Sequence, residues 1–224
     1  MAVLEGGTSA ALAEIGVAAA VPLHVTSKPV PYGSLGHYRL GVFTGVLPAA
    51  LAANSEIFQF RWADATRLAM ILEVRIAASV STTFFAAGVP VQIDMIKSTA
   101  WTVAGTLGTA ITMGATTKAR TSMGSSLVTA GDIRVATTAA LGAGTKTLEA
   151  NSLAAIAAPG PITASLNGLI IAPGTALYEP DLANGEHPLT LVQNEGFSIR
   201  SVAVPATGTW TVSIGVKWAE LTAF

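Results

Sequence analysis

The chain has 224 residues, of which 51% are hydrophobic and only 11% charged, against a usual charged share of roughly 25%. Twelve basic and 13 acidic residues leave a net charge of −1, so no basic stripe exists to neutralise phosphates and nucleic-acid binding is disfavoured. Cysteine is absent, which removes disulfides and thiolate metal sites.

The length suits one large β domain, or a domain plus an arm, and a chain of this size buries about 70% or more of its unfolded surface. Ala, Gly, Thr and Ser fill the place of the missing charges. A dispersed monomer relies on surface charge, so the composition points to a protein that hides much of its surface in an assembly. The opening residues, Met1 to Gly7, lack the basic n-region of a signal peptide. The uncharged stretch 76–93 is interrupted by Ser79, Ser81, Thr82, Thr83, Gly88, Pro90 and Gln92. It is no run of about 20 continuous apolar residues, and a soluble protein with no membrane partner is expected.

In chain order, residues 12–20 are compatible with a short helix. Pro22, Pro29, Pro31, Gly33 and Gly36 follow. Prolines at this density favour an extended path, and 22–38 reads equally well as an arm laid along another surface or as an ordered surface loop. Residues 1–38 are therefore set apart as an extended N-terminal arm, with the β domain at 39–224.

Strand signals begin at 39–46 and 56–62 and strengthen at 68–80. There Leu68, Met70, Leu72, Val74 and Ile76 share one face, and Ala69, Ile71, Glu73, Arg75 and Ala77 the other. Val89, Val91, Ile93 and Met95 alternate with Pro90, Gln92 and Asp94. Pro90 suggests an edge position or a strand start. Residues 98–165 are rich in Gly, Thr and Ala and predict short strands and long loops, with one helix possible at 148–157.

The final third reads as a strand at 189–193, a tight turn at Asn194, Glu195 and Gly196 with Gly196 at positive φ, and a strand at 197–204. After a short connection at 205–208, Trp210, Val212, Ile214, Val216 and Trp218 alternate with polar or small residues. This predicts a half-buried strand paired in a hairpin with 197–204. The fold expected is mainly β: an antiparallel β-sandwich or jelly-roll-like barrel with an extended N-terminal arm and little helix.

Chemistry-bearing patterns are sparse. Gly142, Ala143, Gly144, Thr145, Lys146 and Thr147 approach a phosphate-binding loop, but Thr145 separates the glycine from the lysine; a β connection is the better reading. The histidines His24, His37 and His187 show no helical metal-ligand spacing, although a trimer axis would bring three copies of one together. No Gly-x-Ser-x-Gly elbow occurs; Gly33, Ser34, Leu35 and Gly36 place the glycines wrongly. Asp64, Glu73, Asp94, Glu179, Asp181, Glu186 and Glu195 are the carboxylates weighed for glycosidase pairs. Their contexts are those of turns and solvated faces. Glu179, Asp181, Asn184 and Glu186 give a weak calcium pattern without EF-hand spacing. No catalytic, cofactor-binding or metal residue is assigned, and a non-enzyme is expected.

Five segments carry a resemblance. They are Ala119 to Met123, Asp132 to Leu141, Leu177 to Pro180, Pro188 to Arg200 and Val212 to Glu220. Together they resemble small virion structural proteins of tailed bacteriophages, over roughly residues 40–221, with the arm unmatched. The motifs are structural rather than catalytic. The resemblance implies a component of the phage particle, assembled in the host cytoplasm. Within that class the size, low charge and arm suit a capsid decoration (cement) protein. Such a protein forms a homo-oligomer, a trimer by preference, on the major capsid protein. A tail, neck or fibre component is the alternative, although no fixed-period repeat of a long fibre is present. A carbohydrate- or cell-surface-binding β-sandwich is the alternative of another class. An outer-membrane barrel would need aromatic girdles and a signal peptide that are not visible.

Overall fold

The computed structural model describes residues 2–6, 11–15, 35–86, 89–114, 117–119, 122–160, 168–204 and 206–222. The chain divides into two compact units, Met1–Val30 and Pro31–Phe224.

The first unit contains an antiparallel pair, β1 (Ala2–Gly6) and β2 (Ala11–Ile15), with Ala2 opposite Ile15 and Gly6 opposite Ala11. The helix expected over 12–20 is overturned for 12–15; residues 16–20 lie outside the described residues. A helix this short is marginal by itself, and pairing with a second apolar segment satisfies the backbone more completely. Of the expected arm, 22–34 lie outside the described residues, and Gly36 already belongs to a strand.

The second unit is a β-sandwich of two antiparallel sheets. Its strands are β3 (Gly36–Phe43), β4 (Leu47–Pro48), β5 (Ser55–Trp62), β6 (Leu68–Val80), β7 (Val91–Val103), β8 (Thr109–Ile111), β9 (Ile133–Val135), β10 (Thr145–Leu148), β11 (Ala154–Ala158), β12 (Leu169–Tyr178), β13 (Leu189–Leu191), β14 (Glu195–Ala203) and β15 (Thr209–Leu221). The first sheet runs β10-β7-β14-β5-β9-β8, with β11 beside β10 on the same edge of β7. The second runs β12-β6-β15-β3, with β13 extending the β12 edge and β4 the β3 edge. Short strands dominate 98–165, as expected from its Gly and Thr content. Pro90 is exposed and immediately precedes β7, a strand start in an internal strand.

The core lies between the sheets. Trp210, Val212, Ile214, Val216 and Trp218 are all at most 2% exposed, so the alternation of β15 is realised in full. Phe60 from the first sheet meets Trp218 from the second edge-on, with ring centroids 5.3 Å apart. Phe197 stacks on Phe60 at 5.4 Å, and Tyr38 on Trp218 at 5.6 Å. Such pairs add to the burial of their large apolar areas.

Three expectations are corrected here. The hairpin between 197–204 and 210–218 does not form: β14 lies between β5 and β7 in one sheet, and β15 between β3 and β6 in the other. The chain crosses from sheet to sheet between β14 and β15, with Gly208 at φ 111°. Two apolar strand faces bury each other best across a core, where they are about 10 Å apart, rather than side by side. The helix at 148–157 is instead the end of β10, a break over 149–153, and β11. The long strand β7 offers an open edge, and backbone pairing from Glu149 to Lys97 (3.0 Å) and Leu153 to Met95 (2.8 Å) continues the ladder along it. Lastly, β6 does not keep one face. Its register against β15 slips between Lys217 and Trp218, which is the signature of a bulge. Val74, Ile76 and Ala78 face the core beyond the slip, whereas Ala69 and Ile71 do so before it. Leu68, Met70 and Leu72 form a satellite cluster with Ala219 and Leu221.

The turn before β14 also differs from expectation. It falls on Gln193 and Asn194, with Asn194 at φ 62°. Gly196 is needed for space: a Cβ there would collide with the Phe60 carbonyl and lie 2.8 Å from the Trp101 ring. Gly196→Ala is expected to destabilise by about 2–3 kcal/mol through overpacking, read as a lower urea midpoint at unchanged slope.

Candidate functional site

Sheets usually bury one face; β5 buries both. Phe58, Phe60 and Trp62 point to the core, while Glu56 and Gln59, at 6% and 1% exposure, lie on the opposite face. That outer face is roofed by the chain. Gly105 and Gly142 approach Gln59 and each other too closely to admit a side chain at Gly105. Trp101 lies over Gly196, and a bulge between Thr145 and Thr147 singles out Lys146.

The result is a buried polar network. Lys146 Nζ donates to Glu56 Oε2 at 2.5 Å and to Ser198 Oγ at 3.0 Å. The same Glu56 oxygen accepts from Gln59 Nε2 at 2.6 Å and from Ser198 Oγ at 2.8 Å. Gln59 Nε2 donates in addition to the Gly142 carbonyl at 3.1 Å. The Lys146 ammonium sits 3.8 Å from the centroid of the Trp101 ring, a cation–π arrangement. The Lys146 side chain is 2% exposed. Burial pushes its pKa down; the Glu56 carboxylate opposes this, and Arg200 adds to it. Gln59 Oε1, Trp101 Nε1 and Ser98 Oγ are buried without a hydrogen-bond partner among the described residues.

Two further ion pairs flank it. Arg200 grips Asp94 through Nε at 3.0 Å and Nη2 at 2.5 Å, and Ser152 donates to the same carboxylate. Arg61 binds Asp132 at 2.8 Å and reaches the Trp101 carbonyl at 2.7 Å.

A separate buried carboxylate closes the second sheet. Glu220, fully buried, accepts from Ser126 Oγ at 2.5 Å, Leu127 N at 3.0 Å and Trp218 Nε1 at 3.2 Å. It thereby ties the 124–128 loop to β15. Tyr38 Oη donates to the Gly124 carbonyl at 3.1 Å on the same loop, and burial with the Glu220 charge pushes its pKa up to about 12. Burial raises the Glu220 pKa, and its three donors only partly offset this. A carboxyl raised on folding contributes stability that is greatest when both states are protonated and falls as pH rises through the folded pKa. Urea midpoints should therefore fall as pH rises above the ordinary carboxylate range, and Glu220→Gln should flatten that slope. An unchanged slope in the variant would refute the assignment.

Most residues weighed in the sequence have ordinary surroundings, but Asp94, expected on a turn or solvated face, is 2% exposed and held by Arg200. Lys146, from the near-phosphate loop, pairs with Glu56 rather than facing an open anion site. His37 lies in β3, with Nε2 buried and without a partner among the described residues, and a pKa lowered by burial, Arg39 and Lys217. His187 Nδ1 is 3.0 Å from the Pro188 carbonyl, and His24 lies outside the described residues. Glu73 pairs with Arg75 and Lys217, Glu179 with Arg75, and Glu195 with Lys97. Asp64 closes a turn onto Thr66 and Arg67. Asp181 caps a 3-10 turn at Leu182–Asn184 and Glu186 accepts from the Asp181 amide at 2.6 Å. No group of three or more metal-ligating side chains occurs among the described residues. Sequence reasoning missed Glu56, Gln59, Asp132 and Glu220. For Glu56, Gln59 and Glu220 the one local signal is a polar residue inside a strand with a buried apolar face, and Asp132 sits in the turn before β9.

Comparison with known proteins found no matching family model, no matching curated protein and no matching solved structure.

Proposed function

We propose that this protein is a non-enzymatic structural component of a tailed-phage particle, which binds and stabilises the capsid lattice as a decoration protein. Its partners in this reading are the major capsid protein and further copies of itself, with a trimer favoured, and its location is the virion. The observation that carries the reading is an uncharged shallow face on the outside of the second sheet. Phe43, 75% exposed, stands there beside Ala77, Leu169, Pro173, Thr211 and Ser213. A large exposed aromatic set in an uncharged face suits contact with another protein surface. All four tryptophans are fully buried, which favours packing over sugar binding by exposed indoles.

The test is particle binding. Phe43→Asp is expected to leave stability within about 0.5 kcal/mol, as for an ordinary surface change, while reducing co-sedimentation with capsids lacking the protein at least tenfold. Cryo-EM that locates the chain only in the tail, or a monomer with no particle association, rejects the reading.

A further inference from the structure

Glu56, Gln59 and Lys146 place an amine, a carboxylate and a primary amide in one enclosure. Glu56 Oε2 touches both Lys146 Nζ, at 2.5 Å, and Gln59 Nε2, at 2.6 Å, so the two nitrogens are near neighbours across a single oxygen. The enclosure is dry enough to protect an amide from hydrolysis: Glu56 is 6% exposed, Gln59 1%, Trp101 0% and the Lys146 side chain 2%. Gln59 is fixed from its nitrogen side by Glu56 and Gly142, while its carbonyl oxygen has no hydrogen bond among the described residues. A buried acceptor left unsatisfied calls for an explanation, and a reactive role for the amide is one.

We propose that Lys146 and Gln59 form an intramolecular isopeptide bond, with Glu56 carrying the proton between them. Low polarity disfavours the separated charges of ammonium and carboxylate, and burial lowers the Lys146 pKa in the same sense. Glu56 takes a proton from Lys146, and the neutral amine attacks Gln59 Cδ. The Nζ–Cδ bond forms, Glu56 returns its proton to Nε2, the Cδ–Nε2 bond breaks, and Glu56 then passes the second Nζ proton to the departing ammonia, which leaves as ammonium. No oxidant or other reactant is consumed. The product ties edge strand β10 and its covering loop to β5, near the middle of the sheet. In a chain without cysteine this is a covalent staple open to it. The inference does not depend on the virion reading.

The experiment is intact-mass spectrometry of the denatured full-length protein, fresh and after incubation at about pH 8. The expected result is a loss of about 17 Da, the mass of the ammonia expelled by amine attack on an amide. Tandem spectra of a digest should show the Gln59 and Lys146 peptides joined. Glu56→Gln and Lys146→Arg, checked for cooperative unfolding, should keep the full mass. Wild-type protein at its full sequence mass overturns the proposal without recourse to any variant. So does a loss of about 18 Da with the link on Glu56, which is condensation with the carboxylate instead. A link that persists in Glu56→Gln overturns the role of Glu56.

Discussion

Trp218→Ala is expected to lower the unfolding free energy by about 4 kcal/mol, near the upper end for large-to-small core changes. Three losses combine. The indole is fully buried, so its transfer energy is forfeited and a cavity remains. Its ring touches Phe60 edge-on and stacks on Tyr38, so an aromatic contact between the two sheets is removed with it. Its Nε1 donates to Glu220 Oε1 at 3.2 Å, so a buried carboxylate loses a donor. Domains are stable by only about 5–15 kcal/mol, and much of the margin goes. Equilibrium unfolding in guanidinium checks this. Trp218→Phe, which retains an aromatic ring, should cost less than half as much. A loss under about 2 kcal/mol for the alanine variant would mean that the sheets are held together elsewhere.

Arg200→Met is expected to cost about 3 kcal/mol, although it keeps most of the side-chain volume. Asp94 is 2% exposed and is held by both donor positions of Arg200. The Asp94 hydrogen bonds are in turn the main cause of the raised Arg200 pKa. Removing one member strands a buried charge, which is dearer than losing the pair altogether. Arg200→Met combined with Asp94→Leu should therefore recover most of the loss. A double variant that is simply the sum of two losses would show that packing, not charge pairing, is at stake.

Much of the fold was legible locally. The alternation at 210–218 identified both the strand and its buried face, because a period of two leaves little else for that stretch to be. The alternation at 68–80 identified a strand equally well and placed Val74 and Ile76 on the core face correctly, but it assigned the faces of 68–72 wrongly, because the slip opposite Lys217 and Trp218 depends on β15. The expected helix at 148–157 failed for a similar reason. The Ala-rich run has a helical propensity, but the open edge of β7 offered it backbone partners, and tertiary context overrides a weak prior. The buried network was the least legible part. Glu56 and Lys146 are 90 positions apart, and Glu56 and Ser198 142. Each residue alone looks like an ordinary solvated side chain.

By itself the sequence determined that the protein is built of strands, that it has no cysteine chemistry, and that its last strand drives an indole at each end of one face into a core. Those properties are set by composition and by neighbours two residues apart. Only the tertiary structure decided that 197–204 and 210–218 face each other from opposite sheets, and that Gly196 exists to admit the Trp101 ring. It also decided that Glu56, Gln59 and Lys146 share one enclosure. Each of these depends on segments far apart in the chain excluding water from a common space, and no local pattern encodes which distant segment that will be.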